Sequence, residues 1–260
     1  DMFAALKRRW RARLIARSAL DPALWEQALA RLPFLHGLTD DERRRLRETV
    51  ILFLHRKSIH GAGGLALDAA MQTLIAVQAY VPILNLDIDY YDGWVEVIVY
   101  PDEFVPTIDY TDEDGVVHRE REPRTGEAWL HGPVILSWAD VAPNAGGVNV
   151  VIHEFAHKLD MLNGDANGFP PLQRGMSREA WSRAFGDAYA DFSRRVEADE
   201  EVAIDPYAAE SPAEFFAVLS EAFFETPHAV LERYPQVYEQ LRLFYRQHPA
   251  ARMPRVLPAY

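Results

Sequence analysis

The pattern H-E-x-x-H lies in the segment Val148-Asn-Val-Val-Ile-His-Glu-Phe-Ala-His-Lys-Leu-Asp160. Its apolar residues follow the spacing of one helical stripe, namely Val148, Val151, Ile152, Phe155, Leu159 and Leu162. If this stripe is buried, His153 and His157 lie one turn apart on an adjoining face, where both imidazoles can bind one metal ion. Glu154 follows the first histidine directly and can accept a proton from an attacking water molecule. The segment therefore predicts a metal-binding helix that carries its own base.

A third metal ligand has to come from outside this helix. The chain has no cysteine, so a transition metal must be bound by histidine and carboxylate groups. Neither an extended motif with a third histidine nor the reversed order H-x-x-E-H is present, which leaves a carboxylate from a later helix. Glu214, in Ser211-Pro-Ala-Glu-Phe-Phe-Ala-Val218, can supply it from the first turn of a predicted helix. The alternative for Glu214 is an ordinary acidic residue that the helix dipole favours.

The rest of the chain predicts an α+β protein that is mainly helical, with a small mixed or antiparallel sheet beside the metal-binding helix. Further helices are predicted at about 21–32, 39–55, 67–80, 177–197, 212–224 and 228–247. Strands are predicted at 94–100, 116–118 and 133–138, where β-branched and aromatic residues cluster. We expect a single domain, with a helical lobe at 1–65, a catalytic core at 66–247 and a tail at 248–260. The loop 163–175 and the tail are candidates to cover the cleft.

Composition excludes several classes of partner. The chain has 27 Lys and Arg against 39 Asp and Glu, and the formal net charge of −12 argues against binding of nucleic acid. No run approaches the roughly 18 apolar residues of a membrane span, and no signal-peptide core opens the chain, so we expect a cytoplasmic protein. The first helix carries Leu6 and Trp10 among basic residues. It is either packed on its own domain or held by an anionic membrane surface or an acidic partner.

Three stretches of the chain resemble a known family: His153-Glu-Phe-Ala-His-Lys-Leu-Asp160, Ser211-Pro-Ala-Glu-Phe-Phe-Ala-Val218 with Ser220-Glu221, and Gly132-Pro-Val-Ile-Leu-Ser-Trp138. They are similar to the Mlc titration factor A family of bacterial zinc-dependent peptidases and, more distantly, to the catalytic domain of anthrax lethal factor. The resemblance extends over almost the whole chain. It implies a zincin-like fold of the gluzincin type, with one zinc ion bound by His153, His157 and Glu214. It also implies aminopeptidase-like hydrolysis of small peptide substrates.

The same resemblance brings other residues to the predicted site. Lethal-factor-like enzymes have a tyrosine shortly before the third ligand, and Tyr207, seven residues before Glu214, matches that position. Its hydroxyl would donate a hydrogen bond to the oxyanion of the transition state. Asp160 is a candidate to orient a ligand histidine, and Glu221 is a weaker one. The alternatives are a loop aromatic packed on the domain for Tyr207 and a surface acid for Asp160.

Three accounts of the function follow from these patterns. In the first, the protein is a zinc peptidase in which Glu154 is the base and a peptide substrate adds to the strand at 133–138. In the second, it is a zinc-containing regulatory protein that binds the transcriptional repressor Mlc and so affects the glucose phosphotransferase system. In the third, a helical protein carries the motif by coincidence. An intact Glu154 favours catalysis, because a purely structural zinc ion needs no base.

Overall fold

The computed structural model describes residues 2–18, 20–93, 96–102, 107–111, 117–121, 126–128, 132–141 and 149–255. Parts of four sequence predictions lie outside the described residues: the start of the strand at 94–100, the start of the strand at 116–118, the Val148 position of the metal-binding helix, and residues 256–260 of the tail.

Among the described residues, the N-terminal part of the chain has four helices: α1 (Met2–Arg17), α2 (Pro22–Ala30), α3 (Asp40–Arg56) and α4 (Ala69–Tyr80). The last three each begin after a side chain that accepts a hydrogen bond from a backbone N–H of the first turn. At α3, Thr39 and Glu42 form a reciprocal capping box, which the Thr-Asp-Asp-Glu sequence favours. These helices are therefore stabilised by local cap chemistry as well as by burial.

Helix α1 packs on its own protein through one face. The Nζ atom of Lys7 donates to Asp89 at 2.6 Å, and Nη2 of Arg11 donates to the same carboxylate at 2.5 Å. These contacts support the packed-helix alternative. On the outer face, Leu6 is 66% exposed and Trp10 is 52% exposed.

The sheet is mixed, as predicted. The strands are β1 (Ser58–Gly61), β2 (Glu96–Tyr100), β3 (Thr107–Thr111), β4 (Val117–Arg121), β5 (Gly126–Ala128) and β6 (Val134–Ser137). Four of them pair in the order β1-β2-β6-β5, in which β1, β2 and β6 are parallel and β5 is antiparallel to β6. Strands β3 and β4 form a separate antiparallel pair. Strand β1 was not predicted, because Ser58-Ile-His-Gly61 has a single large apolar residue and no periodic pattern.

The position of β6 corrects the expected substrate contact. Its backbone pairs with β2 on one side and with β5 on the other, and all four of its residues are buried. A peptide cannot add to a strand whose two edges are already paired. The predicted addition of substrate to residues 133–138 is therefore wrong, and the edge strands of the described four-stranded sheet are β1 and β5.

In the part of the chain that the structure describes, seven helices follow the sheet: α5 (Trp138–Val141), α6 (Val150–Asp160), α7 (Arg178–Glu197), α8 (Pro212–Glu225), α9 (Pro227–Arg233), α10 (Pro235–Tyr245) and α11 (Pro249–Arg252). The single helix predicted at 228–247 is wrong, because α9 and α10 are separated at Tyr234. Pro235 causes the break, since proline has no N–H and disfavours a helical conformation of the residue before it.

A continuous hydrophobic core connects the N-terminal helices, the sheet and helices α6 to α10. The ring of Phe155 on α6 lies 5.9 Å from that of Phe53 on α3 and 5.1 Å from that of Tyr91. On α8, the ring of Phe216 lies 5.9 Å from that of Trp181 on α7. Burial of each such side chain stabilises the fold by about 1.5–3 kcal/mol. The core thus fixes α6 and α8, which face each other, from two sides.

This element content places the protein in the α+β class, mainly helical with a small sheet. None of the described helices combines the length and the apolar character needed to cross a lipid bilayer.

Candidate metal centre

Helix α6 presents the H-E-x-x-H pattern from a buried position. Four members of the predicted apolar stripe are completely buried, namely Val151, Ile152, Phe155 and Leu159. Leu162 lies beyond the end of α6 and is 39% exposed. Because the stripe faces the core, His153 and His157 project from an adjoining face, where their side chains keep 13% and 11% of their exposure.

Helix α8 brings a carboxylate to these histidines. Ser211 caps the helix, since its Oγ accepts a hydrogen bond from the backbone N–H of Glu214 at 3.1 Å. Phe215 and Phe216 are buried on the neighbouring face, which fixes the rotation of the helix about its axis. Glu214 consequently points at α6, as the sequence predicted.

The three predicted ligands form a small triangle of atoms. The Nε2 atoms of His153 and His157 are 3.2 Å apart. Oε2 of Glu214 lies 3.0 Å from Nε2 of His153 and 3.3 Å from Nε2 of His157. Two imidazole nitrogens and one carboxylate oxygen therefore converge on one point, which is the arrangement that can hold a metal ion.

The size of the triangle and its donor atoms fit a zinc ion. Tetrahedral bonds of about 2.0–2.1 Å would hold the ligand atoms about 3.3–3.4 Å apart. The measured separations of 3.0–3.3 Å are close to this. Two histidines and one glutamate are also the protein ligands of one class of catalytic zinc site, which leaves a fourth position for water or substrate.

The charges around the triangle favour a cation. Burial lowers the pKa of His153, but hydrogen bonds with Glu214 and Glu221 outweigh it and hold that pKa well above its ordinary value. Burial raises the pKa of Glu214, but hydrogen bonds with the two histidines outweigh it and lower that pKa to about 2. Positive charge at the meeting point of these side chains is thus stabilised, and a metal ion would supply it.

Glu154 is buried next to the first histidine in the chain. It is 3% exposed, and in the described part of the chain its Oε2 atom has no hydrogen-bond partner. Burial raises the pKa of this carboxyl to about 7. A buried oxygen without a partner lowers the stability of the fold, so its presence is explained best by a function. Proton transfer near neutral pH is one such function.

Tyr207 lies beside His153. It belongs to a short 3-10 turn, Pro206–Ala209, in which Asp205 accepts a hydrogen bond from the Tyr207 backbone N–H at 2.9 Å. Its ring centroid is 6.1 Å from that of His153, and the residue is 45% exposed. The structure thus places the tyrosine at the open side of the site.

Glu221 orients the first histidine. Its Oε1 atom accepts a hydrogen bond from Nδ1 of His153 at 2.5 Å. A proton held on Nδ1 leaves the lone pair of Nε2 directed at the triangle, which is what a metal ligand requires. The weaker of the two predicted orienting residues therefore makes the contact.

Asp160 has a different position. It is completely buried, so the surface-acid alternative is wrong. Its Oδ2 atom accepts hydrogen bonds from the backbone N–H groups of Asn167 and Gly168 at 2.8 and 2.7 Å, which holds the loop after α6. Among the described residues, its Oδ1 atom and Nδ1 of His157 both lack hydrogen-bond partners.

Two residues near the site were missed by the sequence reasoning. Asn149 caps α6, and its backbone N–H donates to Oε2 of Glu221 at 2.7 Å. An asparagine before an apolar helical run is a recognised cap signal, so it was available in the sequence. Lys158 is buried, its Nζ donates to the Gly132 carbonyl at 2.8 Å, and burial lowers its pKa to about 8. A lysine in the interior has no signal in the hydrophobic pattern.

Comparison with known proteins agrees with this site. Residues 6–246 match the family described as glucose-regulated metallo-peptidase M90. The chain is 39% identical over 233 residues to Mlc titration factor A of Escherichia fergusonii, covering 88% of each chain. It is 38% identical over 251 residues to Mlc titration factor A of Salmonella arizonae, covering 94% of this chain and 98% of that one. The resemblance to the Mlc titration factor A family is confirmed, and the chain belongs to the glucose-regulated metallo-peptidase M90 family.

Proposed function

We propose that the protein is a zinc-dependent peptidase with a zincin-like, gluzincin-type centre in one domain. The observation that carries the proposal is the triangle of His153, His157 and Glu214 atoms, 3.0–3.3 Å on a side. Beside it, the buried Oε2 atom of Glu154 has no hydrogen-bond partner among the described residues, which supports hydrolysis over a purely structural role for the metal. When bound, zinc would polarise the scissile carbonyl and lower the pKa of water to about 7.

Glu154 is the proposed base. Its carboxylate takes a proton from the attacking water and then delivers it to the nitrogen of the leaving amine, so one group serves both steps. Burial raises its pKa to about 7 against the opposing charges of His153 and His157, and a cation at the neighbouring triangle would favour the ionised form in their place. The group is therefore ionised and ready to accept a proton at neutral pH.

Tyr207 is the proposed donor to the oxyanion. It lies beside His153 and is 45% exposed, so a bound substrate can reach its hydroxyl. A hydrogen bond to charge that appears only in the transition state lowers the barrier without tightening the binding of the ground state. Because Tyr207 is not one of the three proposed ligands, removal of its hydroxyl should leave zinc in place.

The proposed substrate is a peptide, and aminopeptidase-like cleavage is the activity that the family resemblance favours. The test is zinc content together with hydrolysis of a panel of aminoacyl and peptide reporters, comparing the wild type with Glu154→Gln. We expect one zinc ion per chain in both proteins and hydrolysis by the wild type alone. Glu179→Gln, on the exposed face of α7 with 82% of its side-chain surface accessible, is the matched control and should behave as the wild type. Wild-type protein without zinc or without hydrolysis would refute the assignment.

A second function is supported by the name of the relatives, Mlc titration factor A. We propose that this chain also binds an Mlc-like transcriptional repressor, in the cytoplasm, and so affects the glucose phosphotransferase system. The alternative is a zinc-containing regulator with little or no peptidase activity. The two roles separate with Glu154→Gln, which should bind a purified Mlc-like repressor as tightly as the wild type does. If neither protein binds it, the regulatory function is excluded.

A further inference from the structure

Asn149 makes more contacts than a helix cap requires. Its Oδ1 atom accepts a hydrogen bond from the backbone N–H of Ile152 at 3.0 Å, which is the ordinary capping bond of α6. Ser177 and Asp68 make the equivalent bond at the start of α7 and α4. Unlike those two residues, Asn149 is only 4% exposed, so every polar atom it carries needs a partner inside the protein.

The backbone of Asn149 is linked to a metal ligand through one carboxylate. Its N–H donates to Oε2 of Glu221 at 2.7 Å, and Oε1 of the same carboxylate accepts from Nδ1 of His153 at 2.5 Å. Glu221 is thus held at both oxygens. The orientation of the His153 ring follows from where Asn149 holds this carboxylate.

The side chain of Asn149 fixes that backbone to two other helices. Its Nδ2 atom donates to Oε1 of Gln78 on α4 at 2.8 Å and to Oε1 of Glu225 on α8 at 2.7 Å. Both N–H bonds of the amide are used. In the chain, Gln78 lies 71 positions before Asn149 and Glu225 lies 76 positions after it. This set of bonds joins α4, α6 and α8 directly behind the metal centre.

We propose that Asn149 is a positioning residue for the metal centre, which holds Glu221 and through it the His153 imidazole by anchoring the start of α6 to Gln78 and Glu225. This inference rests on the proposed zinc site. Groups that orient metal ligands in this way change metal affinity by about 10–100-fold when removed. A residue that only caps the helix would not have this effect.

Asn149→Asp separates helix capping from positioning of the metal centre. The side chain of aspartate caps a helix as well as that of asparagine does, but a carboxylate donates no hydrogen bond. The new carboxylate would also face Glu225 and Glu221, and like charges repel. We expect zinc to bind about 10–100-fold more weakly, measured by competition with a chromogenic chelator. Ser177→Ala, which removes the cap of α7 far from this set of bonds, is the control and should keep wild-type zinc affinity.

A second change restores the bond with its direction reversed. In Asn149→Asp combined with Glu225→Gln, the amide introduced at position 225 donates to the carboxylate at position 149. We expect the double variant to recover most of the lost zinc affinity, which general damage to the fold would not allow. If Asn149→Asp does not fold, as judged by circular dichroism, Glu225→Leu takes its place, since it removes the acceptor without adding charge.

The outcomes distinguish this inference from the function on which it depends. Wild-type protein that binds no zinc, or His153→Ala that still binds it, would overturn the zinc site itself. Wild-type protein that binds zinc while Asn149→Asp, or Glu225→Leu in its place, binds equally well would overturn only the role of Asn149. A weakened Asn149→Asp without recovery in the double variant would also overturn it, because a restored bond between positions 149 and 225 would then have no effect on metal binding.

Discussion

The two histidines of the metal centre are one helical turn apart, yet they are held in different ways. Nδ1 of His153 donates to Glu221 at 2.5 Å, and that carboxylate is fixed by Asn149. Nδ1 of His157 has no hydrogen-bond partner among the described residues. Of the two histidines on this helix, one is thus hydrogen-bonded to a carboxylate 68 positions away, and the other is held by the helix without such a bond among the described residues.

Close packing of the backbone holds the loop that follows α6 against α8. Asp160 holds the N–H of Gly168, and this glycine has φ of +77°. A Cβ atom at Gly168 would lie 2.4 Å from the carbonyl oxygen of Pro212, at the start of the helix that carries Glu214. The loop therefore fits against α8 only because residue 168 has no side chain.

Removal of either histidine should have the largest effect on the metal centre. We expect His153→Ala and His157→Ala to lose stoichiometric zinc equally, because each supplies one of three ligands whatever holds it in place. Metal analysis of protein purified without added zinc measures this. His60→Ala, at a histidine whose side chain is 47% exposed on β1, is the control. Zinc retained by only one of the two variants would show that the triangle is not the site.

Tyr207 lies on the His153 side, and its hydroxyl is expected to act only in the transition state. Tyr207→Phe should lower kcat by roughly 100-fold, the usual effect of removing one oxyanion donor, with zinc content unchanged. Steady-state kinetics on the best reporter peptide, with metal analysis of the same sample, would measure both. An unchanged kcat would remove Tyr207 from the mechanism.

Two variants, Glu221→Ala and Asp160→Asn, test the difference between the His153 side and the His157 side. The first removes the acceptor of His153 and should weaken zinc binding by about 10–100-fold. The second keeps an oxygen for the N–H groups of the loop and should change zinc affinity only a few-fold. Chelator competition on both variants measures the contrast. Equal losses would mean that Asp160 orients His157 in the zinc-bound protein as Glu221 orients His153.

The smallest expected effect concerns the loop itself. Gly168→Ala should destabilise the protein by about 1–3 kcal/mol, because alanine is strained at this φ and its Cβ would meet Pro212. Gly175→Ala is the matched control, since Gly175 also has positive φ (+92°) but open space around its Cβ position. Thermal unfolding should show the larger decrease in Tm for Gly168→Ala. Equal decreases would mean that contact with Pro212 costs nothing.

The sequence predicted the parts of this site that depend on local spacing. His153, Glu154 and His157 follow from one helical pattern, and Glu214 follows from a helix start with a proline in its first turn. The contact of Asn149 with Gln78 joins side chains 71 positions apart, and periodicity within one helix holds no information about it. Similarly, the paired edges of β6 depend on where β2 and β5 lie, which the β6 sequence does not contain. The pattern of a single element thus predicts its type and its buried face, whereas its neighbours depend on the whole fold.

Helix α8 contributes both Glu214 and Glu221, two turns apart. Glu214 contacts Nε2 of both histidines of α6, and Glu221 contacts Nδ1 of His153. The two helices are therefore fixed in axial register. A slide of one turn, about 5.4 Å, would separate both contacts at once. Release of the ion and loss of the oriented imidazole would then be a single cooperative event, so partly assembled forms of the centre should be scarce.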